Sequence, residues 1–302
     1  MKTWSLIARM LAAEGACALV SVIRTAGSAP REEGARMVVG RHGFHGTIGG
    51  GALEWKALAM AQGLLGKPRQ VKIFAQSLGP DLGQCCGGRV TLAVESFDAA
   101  CLAEVEAQAA REAEGPYTVA GRLPGFDGVE RFGERRRPVL VFGAGHVGRA
   151  LILALAPFPF DVTWADPRPE SFPGAMPQNV TAVTGAPLDV VAGAPAGAFA
   201  VIMSHSHALD LSLAAAALQN PAIAEVGVIG SATKRARFEK RLRAAGVAAA
   251  RISAMICPIG IGGIGSKLPA AVALAVAAQI VSRDEALSAP ASQGMLRERE
   301  AG

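Results

Sequence analysis

The sequence predicts an α/β protein in which an N-terminal mixed α+β domain precedes a doubly wound parallel sheet. Three observations carry this. The 302 residues suit two domains at roughly 100 to 200 residues each. From Val139 onward, apolar strand-like runs alternate with helical patterns, as successive βαβ units do. Before residue 115, short β-branched runs are instead separated by Gly, Ser and Pro, with few helical stretches among them.

In chain order, the first helix is expected over Ser5–Glu14, followed by strands over Cys17–Arg24 and Ala35–Gly40, with Thr25–Gly34 as the loop between them. Gly46-Thr47-Ile48-Gly49-Gly50-Gly51 then opens a segment, Ala52–Leu65, whose apolar residues recur at helical spacing. Val71–Ser77 and Arg89–Glu95 read as strands around the loop Leu78–Gly88, which carries Gln84, Cys85, Cys86 and Gly87. Ala99–Glu114 reads as an exposed amphipathic helix. The stretch after it holds Gly, Pro and three consecutive arginines and is expected to be a linker of little core potential. The second half continues with a strand from Val139, a glycine turn, a helix through Ala156 and a strand over Asp161–Ala165. Strands Phe199–Met203 and Val226–Ile229, helices Leu209–Leu218 and Thr233–Ala244, and a buried helix Ala270–Val281 complete the series. The resulting organisation is residues 1–115, a linker 116–137, a Rossmann-like domain 138–282 and a polar tail 283–302.

Composition narrows the function classes. Lys plus Arg is 30 against 25 for Asp plus Glu, a net charge of +5 spread too thinly for a nucleic-acid footprint. An apolar share of 51 % with 18 % charged residues opposes long disorder. Cys17, Cys85, Cys86, Cys101 and Cys257 are odd in number and lack disulfide-framework spacing, so a reducing cytosol is the expected compartment. No secretory signal pattern is evident at the N-terminus. The longest apolar run, Leu268–Val281, is 14 residues, short of the ~20 that span a membrane.

The chemistry lies in glycine turns and one double cysteine. Gly143-x-Gly145-x-x-Gly148 follows a strand and opens a helix, with Asp166 at the end of the next strand. The first glycine permits the turn, the second lets a phosphate approach the backbone, and the third lets the helix pack closely. Asp166 is then placed to accept a ribose hydroxyl. Ser204-His205-Ser206-His207 stands where a strand meets a helix, the edge at which open α/β sheets bind ligands. A metal there is disfavoured, because the sequence offers no HExxH or CxxC companion. Gly230 and Ser231 form a third turn, followed by Lys234 early in a helix, where a cation opposes the helix dipole unless it meets an anion. A solvated basic face is the alternative for that helix. Cys85 and Cys86 sit between Gln84 and Gly87 in a loop that offers amides rather than packing, which suits a ligand-contacting thiol; Cys17 and Cys101 lie on apolar faces and read as core.

These stretches together resemble the XdhC-type accessory proteins of xanthine dehydrogenase. The resemblance covers nearly the whole chain, through Gly27-Ser28-Ala29-Pro30, the Gly46–Gly51 loop with Glu54, Leu82–Gly88, the second glycine loop with Asp166-Pro167-Arg168, Ser204–Asp210, Gly230-Ser231 with Lys234, and Cys257–Gly260 through Gln279. One departure is that Lys267-Leu268-Pro269 is followed by alanines where relatives carry a carboxylate. The resemblance implies a chaperone, not an enzyme, that binds the molybdopterin form of the molybdenum cofactor. It would hold the cofactor while a cysteine desulfurase system sulfurates it, and deliver it to apo xanthine dehydrogenase; a homodimer is a family-based expectation. Cys85 and Cys86 are then candidate contacts to the cofactor's molybdenum, and Gly49, Gly50, Gly51 and the other glycine turns candidate contacts to its phosphate and pterin. The competing reading is an NAD(P)-dependent oxidoreductase that uses the glycine loop, with His205 or His207 as the acid. It gives the N-terminal loops no task. A pure interaction protein would leave all the glycine turns without a ligand.

Overall fold

The computed structural model describes residues 2–79 and 87–288. The chain divides into two compact units, Met1–Arg135 and Arg136–Gly302.

The first unit is built on a five-stranded antiparallel sheet. Its strands β1 (Ala16–Ala26), β2 (Arg36–Val39), β3 (Phe44–Gly46), β4 (Val71–Ser77) and β5 (Arg89–Asp98) lie in the order β3-β2-β1-β5-β4. Strand β1 is central and alternates two buried faces, as the two-residue period of a strand requires. Ala18, Val20 and Val22 meet helix α2 (Gly51–Gln62) through Leu53, Ala57 and Ala61. Cys17 and Leu19 instead join Trp4, Ile7 and Met10 of helix α1 (Thr3–Glu14) and Val105 of helix α3 (Leu102–Glu114). The buried Glu112 of α3 accepts the backbone N–H groups of Thr3 and Trp4, both at 2.9 Å, so a carboxylate occupies the positive end of α1.

The expected linker is a correction. Residues 117–132 form a hairpin of β6 (Tyr117–Ala120) and β7 (Val129–Phe132), and Leu123 and Phe132 are buried with the first unit. The signal was hidden because polar side chains do part of the core's work. Arg122 makes a two-toothed pair with Glu130 (2.7 and 2.9 Å) and also reaches Glu95 of β5, and both acids are buried.

The second unit holds strands β8 (Arg137–Phe142), β9 (Phe160–Ala165), β10 (Val180–Val183), β11 (Ala198–Ile202) and β12 (Ile223–Val228), all parallel, in the order β10-β9-β8-β11-β12. The chain steps outward from β8 to β9 and β10, then returns to β11 on the other side. The β8/β11 gap is therefore the switch point at which such sheets bind ligands. Helices α4 (His146–Leu155) and α9 (Pro269–Ser288) cover one face with Leu151, Ile152, Val276 and Ile280. Helices α5 (Pro187–Ala192), α6 (His207–Gln219), α7 (Ala232–Ala244) and α8 (Ala249–Ala254) cover the other. The expected polar tail begins too early, because α9 continues to Ser288. Its last turns are tied down, Asp284 to the buried Arg137 and Arg283 to Glu225; residues 289–302 lie outside those described. Strand β10 and the short helices α5 and α8 also went unassigned in the sequence, being only four to six residues long.

Candidate functional site

Two groups of predicted residues come together, one within each unit. In the first, three glycine-bearing loops meet at one end of the antiparallel sheet. A Cβ on Gly88 would lie 2.3 Å from the Ser28 carbonyl oxygen, and one on Gly49 would lie 2.6 Å from Cγ of Pro30. No side chain fits at either contact, so glycine is what allows the loops to touch. Gly49, Gly50 and Gly51 all hold positive φ (124°, 78° and 66°), a conformation open to glycine and costly for other residues. Beside them, an open depression of about 360 Å³ is lined by Thr25, Gly27, Ala29, Pro30, Arg31 and Glu32. Gln84, Cys85 and Cys86 lie outside the described residues; Gly87 is exposed.

The amides of this loop are not pointed at an empty cradle. Glu54, in the first turn of α2, accepts the N–H groups of Ile48 (3.0 Å) and Gly50 (3.2 Å) and the hydroxyl of Thr47 on one oxygen, while Gly49 donates to the Thr47 hydroxyl at 3.1 Å. The expected phosphate cradle of Gly49 and Gly50 is thus corrected: an internal carboxylate takes the anion's place.

In the second unit, the Gly143–Gly148 turn follows its sequence logic closely. A Cβ on Gly143, whose φ is +120°, would come within 2.4 Å of the Met203 carbonyl oxygen, and one on Gly148 within 2.1 Å of the Gly143 carbonyl oxygen. Gly145 differs from both. It is exposed, precedes α4, and a Cβ there would meet nothing within 4 Å, which leaves room for a ligand against the helix N-terminus.

Asp166 does not stand ready for a ribose. Its side chain is 1 % exposed. One carboxylate oxygen accepts the Arg168 N–H (3.0 Å) and Nε (2.9 Å), and the other accepts the Ala144 N–H (2.7 Å) and Arg168 Nη2 (2.9 Å). Four donors fill both oxygens, so the expected role as ribose acceptor is corrected to that of a brace for the turn. Burial alone would raise its pKa; the Arg168 hydrogen bond and the Ala144 N–H outweigh this and hold it at about 2.

Across the switch point, Ser204 donates its N–H (3.0 Å) and hydroxyl (2.6 Å) to one oxygen of Asp210. Lys234 donates to the other oxygen of Asp210 (2.6 Å) and to the Ile229 carbonyl (2.8 Å). Both charged side chains are nearly buried, 11 % exposed for Lys234 and 2 % for Asp210. Lys234 was expected to meet an acidic ligand, and the partner it has is this internal carboxylate. Ser231 and Ser206 cap α7 and α6, accepting the Lys234 and Leu209 N–H groups at 3.3 Å each. His205, His207 and Gly230 are exposed at the same edge. Arg235, next to Lys234 on α7, is structural: it donates to the Met255 carbonyl at 2.9 Å and pairs with Glu239. Cys17, Cys101 and Cys257 are buried, and burial pushes the Cys17 thiol up to about 12, with nearby Glu14 adding to the rise. Among the described residues no cluster of three or more His, Cys, Asp or Glu side chains is arranged for a metal, and no helix is long and apolar enough to cross a membrane.

Glu54, Asp210 and Arg168 were not among the predicted binding residues, yet each organises a loop. For Glu54 and Asp210 the available signal was position, an acid in the first turn of a helix that follows a glycine- or serine-rich loop, where the helix dipole favours it.

The fold and these turns define a two-unit protein whose second unit is a Rossmann domain with an intact glycine loop. Residues 139–280 match the XdhC Rossmann domain model and residues 10–74 match the model of the XdhC and CoxI family; the chain belongs to the XdhC family. It is similar to a protein described as a xanthine dehydrogenase from Bacillus halodurans, whose crystal structure superposes with a TM-score of 0.78 at 17 % identity, covering 96 % of this chain and 98 % of that one. It is also 26 % identical over 273 residues to the uncharacterized protein YqeB of Escherichia coli K12. That match takes in 87 % of this chain but only 43 % of YqeB, so the chain spans less than half the length of this relative.

Proposed function

We propose that the protein serves xanthine dehydrogenase maturation as a cytoplasmic carrier of the molybdenum cofactor. In this reading it binds the molybdopterin form, retains it while a cysteine desulfurase supplies sulfide to the metal, and passes it to apo xanthine dehydrogenase. Family membership supports the role. The observation that carries the site is the meeting of the loops in the first unit: Gly88, two residues after Cys86, is packed on Ser28, while Gly49 is packed on Pro30. A ligand in the depression beside them would lie on the loop of Thr25 to Glu32, against which Gly49 and Gly88 are packed. The open approach to Gly145 suits the phosphate or pterin end of such a cargo, and soft thiolates suit molybdenum with sulfur ligands.

The oxidoreductase reading loses its ribose acceptor, since every hydrogen-bonding direction of Asp166 is already used. The test is retention of cofactor. Protein purified from a molybdenum-replete host is expected to carry molybdenum and pterin, and the Cys85→Ala, Cys86→Ala double variant to lose most of both. Unchanged molybdenum and pterin content in that variant would remove the cysteine loop from the site.

A further inference from the structure

At the corner where β9 ends, the acid that dinucleotide-binding units usually present to a ribose is followed two residues later by an arginine. Gly143 donates to the Ala165 carbonyl at 2.8 Å, which fixes the glycine turn beside the end of β9. Asp166 is buried there with all acceptor directions used, so it offers a ligand nothing. Arg168 is the group that faces outward. Its side chain is 40 % exposed, and of its five N–H donors only Nε and one on Nη2 are spent on Asp166. The remaining donors form a fork in fixed orientation, since the two-toothed pair with Asp166 holds the guanidinium plane. Such a fork matches the charged oxygens of a phosphate, whereas a neutral diol offers it only uncharged hydroxyl acceptors and weaker bonds. Exposed Glu170 lies close enough to act on Arg168, but it is not hydrogen-bonded to it and leaves the fork open.

We infer that Arg168, braced by Asp166, makes this corner of the glycine-loop crevice select a phosphomonoester over a ribose diol. The inference rests on the reading that the crevice takes a cofactor-like ligand. Two sources share the chemistry: the terminal phosphate of the pterin cofactor and the 2′-phosphate of a dinucleotide.

The experiment has two arms on the full chain. In the first, NADP and NAD, which differ only in the 2′-phosphate, are titrated calorimetrically into protein from a molybdenum-starved host. A nucleotide-type seat binds NADP at least tenfold more tightly than NAD, with the preference lost in Arg168→Gln and partly kept in Arg168→Lys, which retains the charge without the fork. In the second arm, pterin content is measured after purification from a molybdenum-replete host. A pterin-phosphate seat shows a severalfold loss in Arg168→Gln and a smaller one in Arg168→Lys, measured on protein whose melting curve shows it folded at the purification temperature. No binding in either arm, equal or tighter binding of NAD together with unaltered pterin content in both variants, or an NADP preference and pterin content both unaltered in the variants would overturn the inference. If the parent held no pterin but preferred NADP, the carrier reading would fail and the role of Arg168 would stand; full pterin retention in both variants, with no NADP preference in the parent, gives the reverse.

Discussion

At the scale of single residues, what separates bracing from binding is whether a polar group's hydrogen-bonding directions are already used. Asp166 is the clearest case. Its carboxylate is held at about 2, below the 3.8 of a free aspartate, so it contributes stability that is present above the unfolded pKa and lost as pH falls through the folded one. The window therefore runs from about pH 4 down to about pH 2. Asp166→Asn cannot pair with Arg168 in the same way and is expected to cost about 1.5 to 3 kcal/mol near neutrality, the range for hydrogen bonds to a charged group. Its melting temperature should also fall less than the parent's between pH 4 and pH 2. Parallel melting curves for the two proteins across that window would remove the brace assigned to this carboxylate. The sequence showed that an acid ends the second strand. It could not show which way the acid's lone pairs are spent, because that depends on the register that sets Ala144 and Arg168 around it.

At the scale of elements, the parallel half was legible and the hairpin was not, for the same physical reason. Strands β8 and β11 are buried on both faces and read as apolar runs, β9 and β12 are largely apolar with one exposed position each, and Gly143, Gly197 and Gly230 mark the ends of β8, β11 and β12. Strands β6 and β7 are four residues long, and their segment is joined to the sheet through Arg122, Glu95 and Glu130 as well as Phe132. A polar stretch of this kind looks like a linker until its charges are seen to be paired. The Lys234 and Asp210 pair is equally invisible in one dimension, because its members stand on α7 and α6, 24 residues apart. It ties the starts of two helices together across the sheet edge. Lys234→Met leaves Asp210 buried without its cation and is expected to destabilise the second unit by about 3 to 5 kcal/mol. Adding Asp210→Asn should recover much of that loss. Thermal melting of the single and double variants checks this; a single variant that melted like the parent but lost ligand would make Lys234 a binding residue instead of a strut.

At the scale of the whole molecule, each unit has its own core: the antiparallel sheet is packed on both faces by its own helices, and the parallel sheet likewise. Glycine loops lie at a sheet end in both, and family similarity extends to both, as expected if both are needed for one task. A carrier must also release what it holds, so its effect is read on the recipient. The net charge of +5 over 302 residues provides weak steering at most, and salt should slow encounter with an acidic partner only modestly. Loss of the gene is therefore expected to leave xanthine dehydrogenase assembled but inactive and short of molybdenum and pterin, while molybdenum enzymes that use other forms of the cofactor persist. Molybdenum and pterin content of the dehydrogenase purified from the deletion strain measures this directly. Were that enzyme to carry full, sulfurated cofactor and normal activity, the delivery role would be wrong even if the protein bound the cofactor in isolation.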